Sequence, residues 1–152
     1  IMVINSFPRF WRQDPATLPG PKPDGSRPPL RRRALFDLGA IQACIQSGEM
    51  DESAISVVTD KCASDLEDLG WEYADLLAFI LDLQPYSPGG ANDYRSSEWC
   101  KGSAGDWYPC DAYAMNFDPV RMCRSTGGPS IYVKFSIPED GSCLLITVSA
   151  HD

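Results

Sequence analysis

A single histidine, His151, occurs among the 152 residues. That scarcity excludes a two-histidine metal site and any hydrolase built on several imidazoles. The six cysteines, at 44, 62, 100, 110, 123 and 143, form no Cys-x-x-Cys pair. A zinc ribbon and a thioredoxin-type motif are therefore absent. There is no glycine-rich phosphate loop and no Gly-x-Ser-x-Gly elbow, so nucleotide-loop chemistry and an α/β-hydrolase nucleophile have no sequence basis. No apolar run approaches the roughly 20 residues needed to cross a bilayer. The opening Ile1-Met2-Val3-Ile4 soon meets Asn5, Pro8 and Arg9. It is too short for a signal-peptide core, so the expected location is cytoplasmic, with no membrane partner.

The chain that remains is an ordinary globular one. Hydrophobic residues make up 43% and charged residues 22%, enough for one domain with a real core. The net charge of −8 is unevenly placed. Residues 1–33 hold seven basic side chains against Asp14 and Asp24, a net of +5. The rest holds six basic and nineteen acidic side chains, a net of −13. A body that acidic is a poor generic binder of nucleic acid. Seven prolines between Pro8 and Pro29 forbid regular helix or strand in residues 1–33. This stretch reads as a Pro/Arg-rich arm closing on Arg31-Arg32-Arg33. It either packs along the body or makes an electrostatic contact to RNA or to the body.

Residues 34–152 read as a single α+β domain. Leu38, Ile41 and Ile45 place a helix over Asp37–Gly48, with Asp37 as N-cap and Gly48 as stop. Cys62, Leu66 and Leu69 place a second over Thr59–Gly70, capped by those two residues. Tyr73, Leu76, Leu77, Ile80 and Leu83 place a third over Glu72–Leu83, ended by Pro85. A short extended piece is expected at Ala54–Val58. Strands are expected near Tyr94–Ser97 and over Tyr108–Phe117, separated by loop signals at Gly102–Asp106. A C-terminal β-hairpin follows: Ile131, Val133, Phe135 and Ile137 alternate with Tyr132, Lys134 and Ser136, and Leu144, Ile146 and Val148 alternate with Leu145, Thr147 and Ser149. An Asp140-Gly141 turn would pair 133 with 148, 135 with 146 and 137 with 144. Two to three helices then pack on one face of a small antiparallel sheet.

The other face of that hairpin would gather Tyr132, Lys134 and His151, with His151 diagonal to Tyr132. A mixed polar, solvated sheet face is the plain reading. The same side chains also suit a metal-independent ribonuclease, which needs a base, an acid and a cation for the developing phosphorane charge. Histidine titrates near neutral pH and serves as either acid or base. Cys44 and Cys62 read as small core residues. Cys100, Cys110, Cys123 and His151 could offer four zinc ligands, but the spacing lacks a ligand knuckle. Reduced thiols are the plainer reading, and no metal or cofactor is assigned.

From about residue 35 onward, an ordered series of segments resembles the MqsR family of toxin ribonucleases, which have a RelE-like fold. After the first helix comes Leu69-Gly70-Trp71-Glu72-Tyr73-Ala74-Asp75, similar to the family's Leu-Gly-Leu-Asp-Phe-Asp. Asp93-Tyr94-Arg95-Ser96 is similar to Phe-Tyr-Lys-Ser, and Cys110-Asp111-Ala112-Tyr113 to Gln-Asp-Val-Tyr. Ile131-Tyr132-Val133-Lys134 is similar to Val-Tyr-Leu-Lys. The closing Val148-Ser149-Ala150-His151 resembles Val-Ser-Phe-Lys.

The resemblance implies a metal-independent endoribonuclease toxin of a type II toxin–antitoxin system. Messenger RNA would be the substrate and a cognate antitoxin protein the partner; a homodimer is left open. His151, Tyr132 and Arg95 would be catalytic. Lys134, Trp99, Trp107, Tyr108 and Tyr113 would contact RNA. Two replacements depart from the family. Arg95 stands for a lysine and does not readily release its proton; Cys110 stands for a glutamine. With the acidic body, these departures motivate a second reading, a catalytically degenerate protein-interaction module.

Overall fold

The computed structural model describes residues 7–21, 30, 33–87, 89–90 and 92–152. Lys22, Arg27, Arg31 and Arg32 of the basic arm lie outside these. Three helices form where the apolar spacing requires them: α1 (Leu38–Ser47), α2 (Asp60–Leu69) and α3 (Tyr73–Asp82). Each starts at an acceptor side chain. Asp37 accepts from the Ala40 amide, Thr59 accepts from the Cys62 amide, and Glu72 and Asp75 form a capping box. α1 and α2 stop at Gly48 and Gly70, both in left-handed backbone with φ of 84° and 70°, a conformation that strains any side chain with a Cβ.

The strands are β1 (Ile55–Val57), β2 (Tyr94–Lys101), β3 (Trp107–Asp118), β4 (Cys123–Arg124), β5 (Ser130–Ser136) and β6 (Leu145–His151). The sheet runs β1-β6-β5-β3-β2, with β4 pairing the far end of β3. It is mixed rather than antiparallel, because β1 pairs in parallel with β6, Ile55 opposite Leu145 and Val57 opposite Thr147. The expected extended piece before α2 thus becomes an edge strand, and Val58 continues the pairing by donating to the Thr147 carbonyl at 3.2 Å.

The expected hairpin register is corrected. Tyr132 faces His151, Val133 faces Ala150 and Lys134 faces Ser149; Phe135 then faces Thr147 and Ser136 faces Ile146. A bulge at Val148 absorbs the shift. Residues 137–144 connect the strands, so the hairpin has no two-residue turn at Asp140-Gly141. Beyond the bulge the facing residues change over. Leu145 and Thr147 are fully buried, and Val148 joins Cys100 and Cys110 in a separate small cluster.

One core lies between the sheet and the helices. Tyr113, Met115 and Phe117 of β3, Ile131, Val133 and Phe135 of β5, and Leu145 and Ala150 of β6 meet Leu38 and Ile41 of α1, Leu66 of α2, and Leu76, Phe79 and Ile80 of α3. Trp71, Phe79 and Phe117 form an aromatic triangle with centroids 5.0–5.9 Å apart. The arm contributes as well. Phe10, Trp11 and Leu30 are buried in the same core, and Trp11 meets Phe36 edge-on at 4.8 Å and bridges it in antiparallel fashion. Pro15–Thr17 of the arm form a 3-10 turn capped by Asp14.

Candidate active site

The pairing of β5 with β6 sets the geometry. Tyr132 and His151 occupy directly opposed positions, and their rings lie 5.3 Å apart, tilted by 36°. Two positions along β5, on the same face, Lys134 holds its ammonium 5.5 Å from the Tyr132 ring. His151 Nδ1 lies 3.1 Å from the Asp152 carbonyl oxygen, and the ring is half-buried.

A cavity of about 480 Å³ opens beside this pair. Lys61, Lys101 and Lys134 supply its cationic lining, His151 an imidazole, and Thr59, Ser103 and Ser149 hydroxyls. The residues from 34 onward contain six lysines and arginines in all. Half of them, and the one imidazole, therefore line a single cavity in an acidic body. Four elements bring them together. β5 and β6 carry Lys134 and His151, β2 ends in Lys101, and α2 carries Lys61 in its first turn, after its Thr59 cap. The turn after β2 is tied to the start of α2: the Ser103 amide donates to the Val58 carbonyl at 2.8 Å, and the Asp60 amide donates to Ser103 Oγ at 2.8 Å.

Two of the lysines carry acidic companions. Lys134 pairs with Glu98 across β3. Burial pulls the Lys134 ammonium down, but the hydrogen bond to Glu98 and the neighbouring Tyr132, Cys100 and Glu98 together outweigh it, and the net effect is a raised pKa. Lys134 is therefore a charged anchor, with little tendency to give up a proton. Lys61 pairs with Asp65 one turn along α2 at 2.9 Å. Lys101 lies 5.9 Å from the Trp107 ring.

The remaining sequence-predicted residues fall elsewhere. Arg95 is exposed at a bulge in β2, and its guanidinium donates to the carbonyls of Tyr94 and Ala114, both at 3.3 Å. Ala114 is the β3 partner of Tyr132, so Arg95 reaches the strand beside the tyrosine without meeting it. Trp99 donates its indole N–H to the Pro19 carbonyl at 2.7 Å, which ties it to the arm. Trp99, Trp107 and Tyr108 line a separate groove with Trp11, Leu18 and Pro138. Tyr113 is fully buried and stacks on Phe135 at 5.8 Å with rings 9° from parallel. It belongs to the core and is out of reach of an RNA base.

The four residues weighed as a conceivable zinc set, Cys100, Cys110, Cys123 and His151, do not converge. Cys100 and Cys110 are buried near Val148. Cys123 pairs with Asp118, eight positions up β3 from Cys110, or roughly 25 Å along the strand. Lys61, Lys101 and Glu98 are additions that motif reading missed. The rarity of basic residues after residue 33 was the available signal, since each one had to be accounted for.

No family model, curated protein or solved structure matches this chain. Among the described residues, no helix is long and apolar enough to cross a membrane.

Proposed function

We propose that the face holding Tyr132 and His151 is a metal-independent endoribonuclease site acting on single-stranded messenger RNA. The observation that carries this reading is the cavity that gathers His151, the cross-strand partner of Tyr132, with three lysines in an otherwise acidic body. The cationic lining would draw in a phosphodiester by charge and hold it near the imidazole. The 2′-oxygen of the ribose then attacks phosphorus, the bond from phosphorus to the 5′-oxygen breaks, and a 2′,3′-cyclic phosphate forms. His151 moves a proton to or from the reacting oxygens. Tyr132, opposite it, orients the imidazole or shares that proton. Lys134, with Lys61 and Lys101, offsets the charge of the phosphorane. Arg95 would meet the RNA backbone from the neighbouring strand. In this reading the protein is a toxin of the MqsR and RelE kind, working in the cytoplasm and silenced by an antitoxin protein.

The test is the purified chain incubated with RNA in EDTA. Cleavage is expected, with cyclic-phosphate and 5′-hydroxyl ends. His151→Ala should lower the rate about 10²–10⁴-fold, the usual contribution of a general acid or base. If RNA stays intact, or cleavage survives His151→Ala combined with Tyr132→Phe, the site does not work this way.

One observation favours a second reading. The Lys134–Glu98 and Lys61–Asp65 pairs already compensate two of the cavity's three ammonium groups. A non-catalytic interaction module needs no free cation, and its acidic body would dock a basic protein. Stoichiometric capture of such a protein, with no growth arrest on expression, would favour this alternative.

A further inference from the structure

A second cluster lies on a different part of the surface, where the first helix, the β5–β6 connection and the arm meet. Cys44 comes from α1, Glu49 follows its Gly48 cap, Cys143 comes from the connection, and Arg9 comes from the arm. The two sulfurs and a Glu49 carboxylate oxygen all lie within 4.8 Å of one another. Cys44 Sγ is 3.3 Å from Glu49 Oε2, and Cys143 Sγ is 3.4 Å from Glu49 Oε1. The carboxylate thus straddles the two sulfurs.

The two sulfur–oxygen distances, each to a different Glu49 oxygen, are close to an edge of a metal tetrahedron, and the two sulfurs lie within 4.8 Å of each other. Zinc bonds of about 2.3 Å to sulfur and about 2.0 Å to oxygen give sulfur–oxygen edges of about 3.5 Å and a sulfur–sulfur edge of about 3.8 Å. A cation already sits against the cluster. The Arg9 guanidinium donates to both Glu49 oxygens at 2.7 Å, to Cys44 Sγ at 3.1 Å and to Cys143 Sγ at 3.2 Å. All three acceptor groups therefore face one positive centre. Glu49 and Arg9 are about half exposed, which leaves the cluster open to solvent and to exchange.

We propose that Cys44, Cys143 and Glu49 form a zinc site with one open coordination position, and that Arg9 is the resident cation that zinc displaces. Two thiolates and a carboxylate suit zinc over magnesium or calcium, which prefer oxygen alone. Binding releases the two thiol protons to solvent and frees the Arg9 guanidinium. Bound zinc would join α1 to the β5–β6 connection and release the Arg9 side chain from both, while Trp11 keeps the arm in the core. The Cys44–Cys143 cluster is distinct from the cysteines that the sequence suggested as ligands.

Cobalt(II) is the direct probe, because thiolate ligation gives it a charge-transfer band and tetrahedral geometry gives it visible absorption. The full chain, reduced with a phosphine and freed of metal, is titrated with cobalt and then with zinc. One equivalent of cobalt should bind with a thiolate band, and one of zinc should displace it. Cys143→Ser, in a surface connection, should abolish the band. Cys123→Ser, at an exposed cysteine elsewhere, should leave it unchanged. Arg9→Gln should tighten binding severalfold by removing the competitor. Absence of a band in the reduced wild-type chain, or a band that survives Cys143→Ser, overturns the site. A band whose affinity Arg9→Gln leaves unchanged overturns the displacement.

Discussion

Asp111 carries a carboxyl group into the middle of the sheet, fully buried. Its oxygens accept from the Leu35 and Phe36 amides at 3.0–3.1 Å and from Ser97 Oγ at 2.6 Å. One side chain thus fastens the segment entering α1 to the centre of β3. Burial pushes the carboxyl up to about 7, against these hydrogen bonds, which pull it down. A carboxyl raised in the folded state favours folding most when protonated. Its contribution is complete below the ordinary value near 4 and is lost as pH rises through about 7. The melting temperature should therefore fall between about pH 4 and about pH 7 and level off above that. Asp111→Asn should flatten that slope and lower stability by about 1–3 kcal/mol at pH 5, because its amide group meets donors. A thermal-melt series across pH checks both. An unchanged slope in the variant would assign the dependence to another group.

Thr59 works at the scale of the element. Its hydroxyl accepts from the Cys62 amide at 3.0 Å to start α2, and donates to the Val148 carbonyl at 2.6 Å, at the bulge in β6. Thr59→Val keeps the shape and loses both bonds. A cost of about 1–2 kcal/mol is expected, or about 2–8 °C in melting temperature for a chain of this size. An unchanged melt would show that water replaces the hydroxyl. The helices were legible because their signals are local: Asp37, Thr59, Gly48 and Gly70 sit where capping chemistry demands. The hairpin register was not. Moving the pairing by two residues keeps every side chain on its face, so apolar alternation cannot separate a pairing of 133 with 148 from the observed 133 with 150. The bulge at Val148 then exchanges the two faces for the first half of β6, and no residue type marks it in advance. The expected meeting of Tyr132 with His151 survives because both lie beyond the bulge.

At the scale of the whole molecule, the arm and the body share one core. Trp11 is 4% exposed and donates its indole N–H to the Pro138 carbonyl at 3.2 Å. Trp11→Ala should cost about 3–5 kcal/mol, the range for a buried aromatic, a large share of a typical domain's stability. Urea unfolding measures it, and a cost under about 1 kcal/mol would place the arm outside the cooperative unit. Proline and arginine content marked residues 1–33 as irregular but not as buried, because burial of Phe10, Trp11 and Leu30 depends on partners more than fifty residues away, such as Pro138. The cavity was hidden for the same reason: Lys61, Lys101 and Lys134 are each unremarkable in the sequence, and only the sheet order brings them together.

The pairing of β1 with β6 joins residue 55 to residue 145, about ninety positions apart. A contact that distant requires closing a long loop before any stabilisation is returned, which slows its formation relative to local helices and adjacent strands. The helices can form early and β2 with β3 can zip from their short turn. β6 must find β1 across most of the chain. Thr59, two residues after β1, and His151, which ends β6, border the same cavity. In refolding, binding of an anion at that cavity should therefore appear in the slowest phase, after most helical signal has returned.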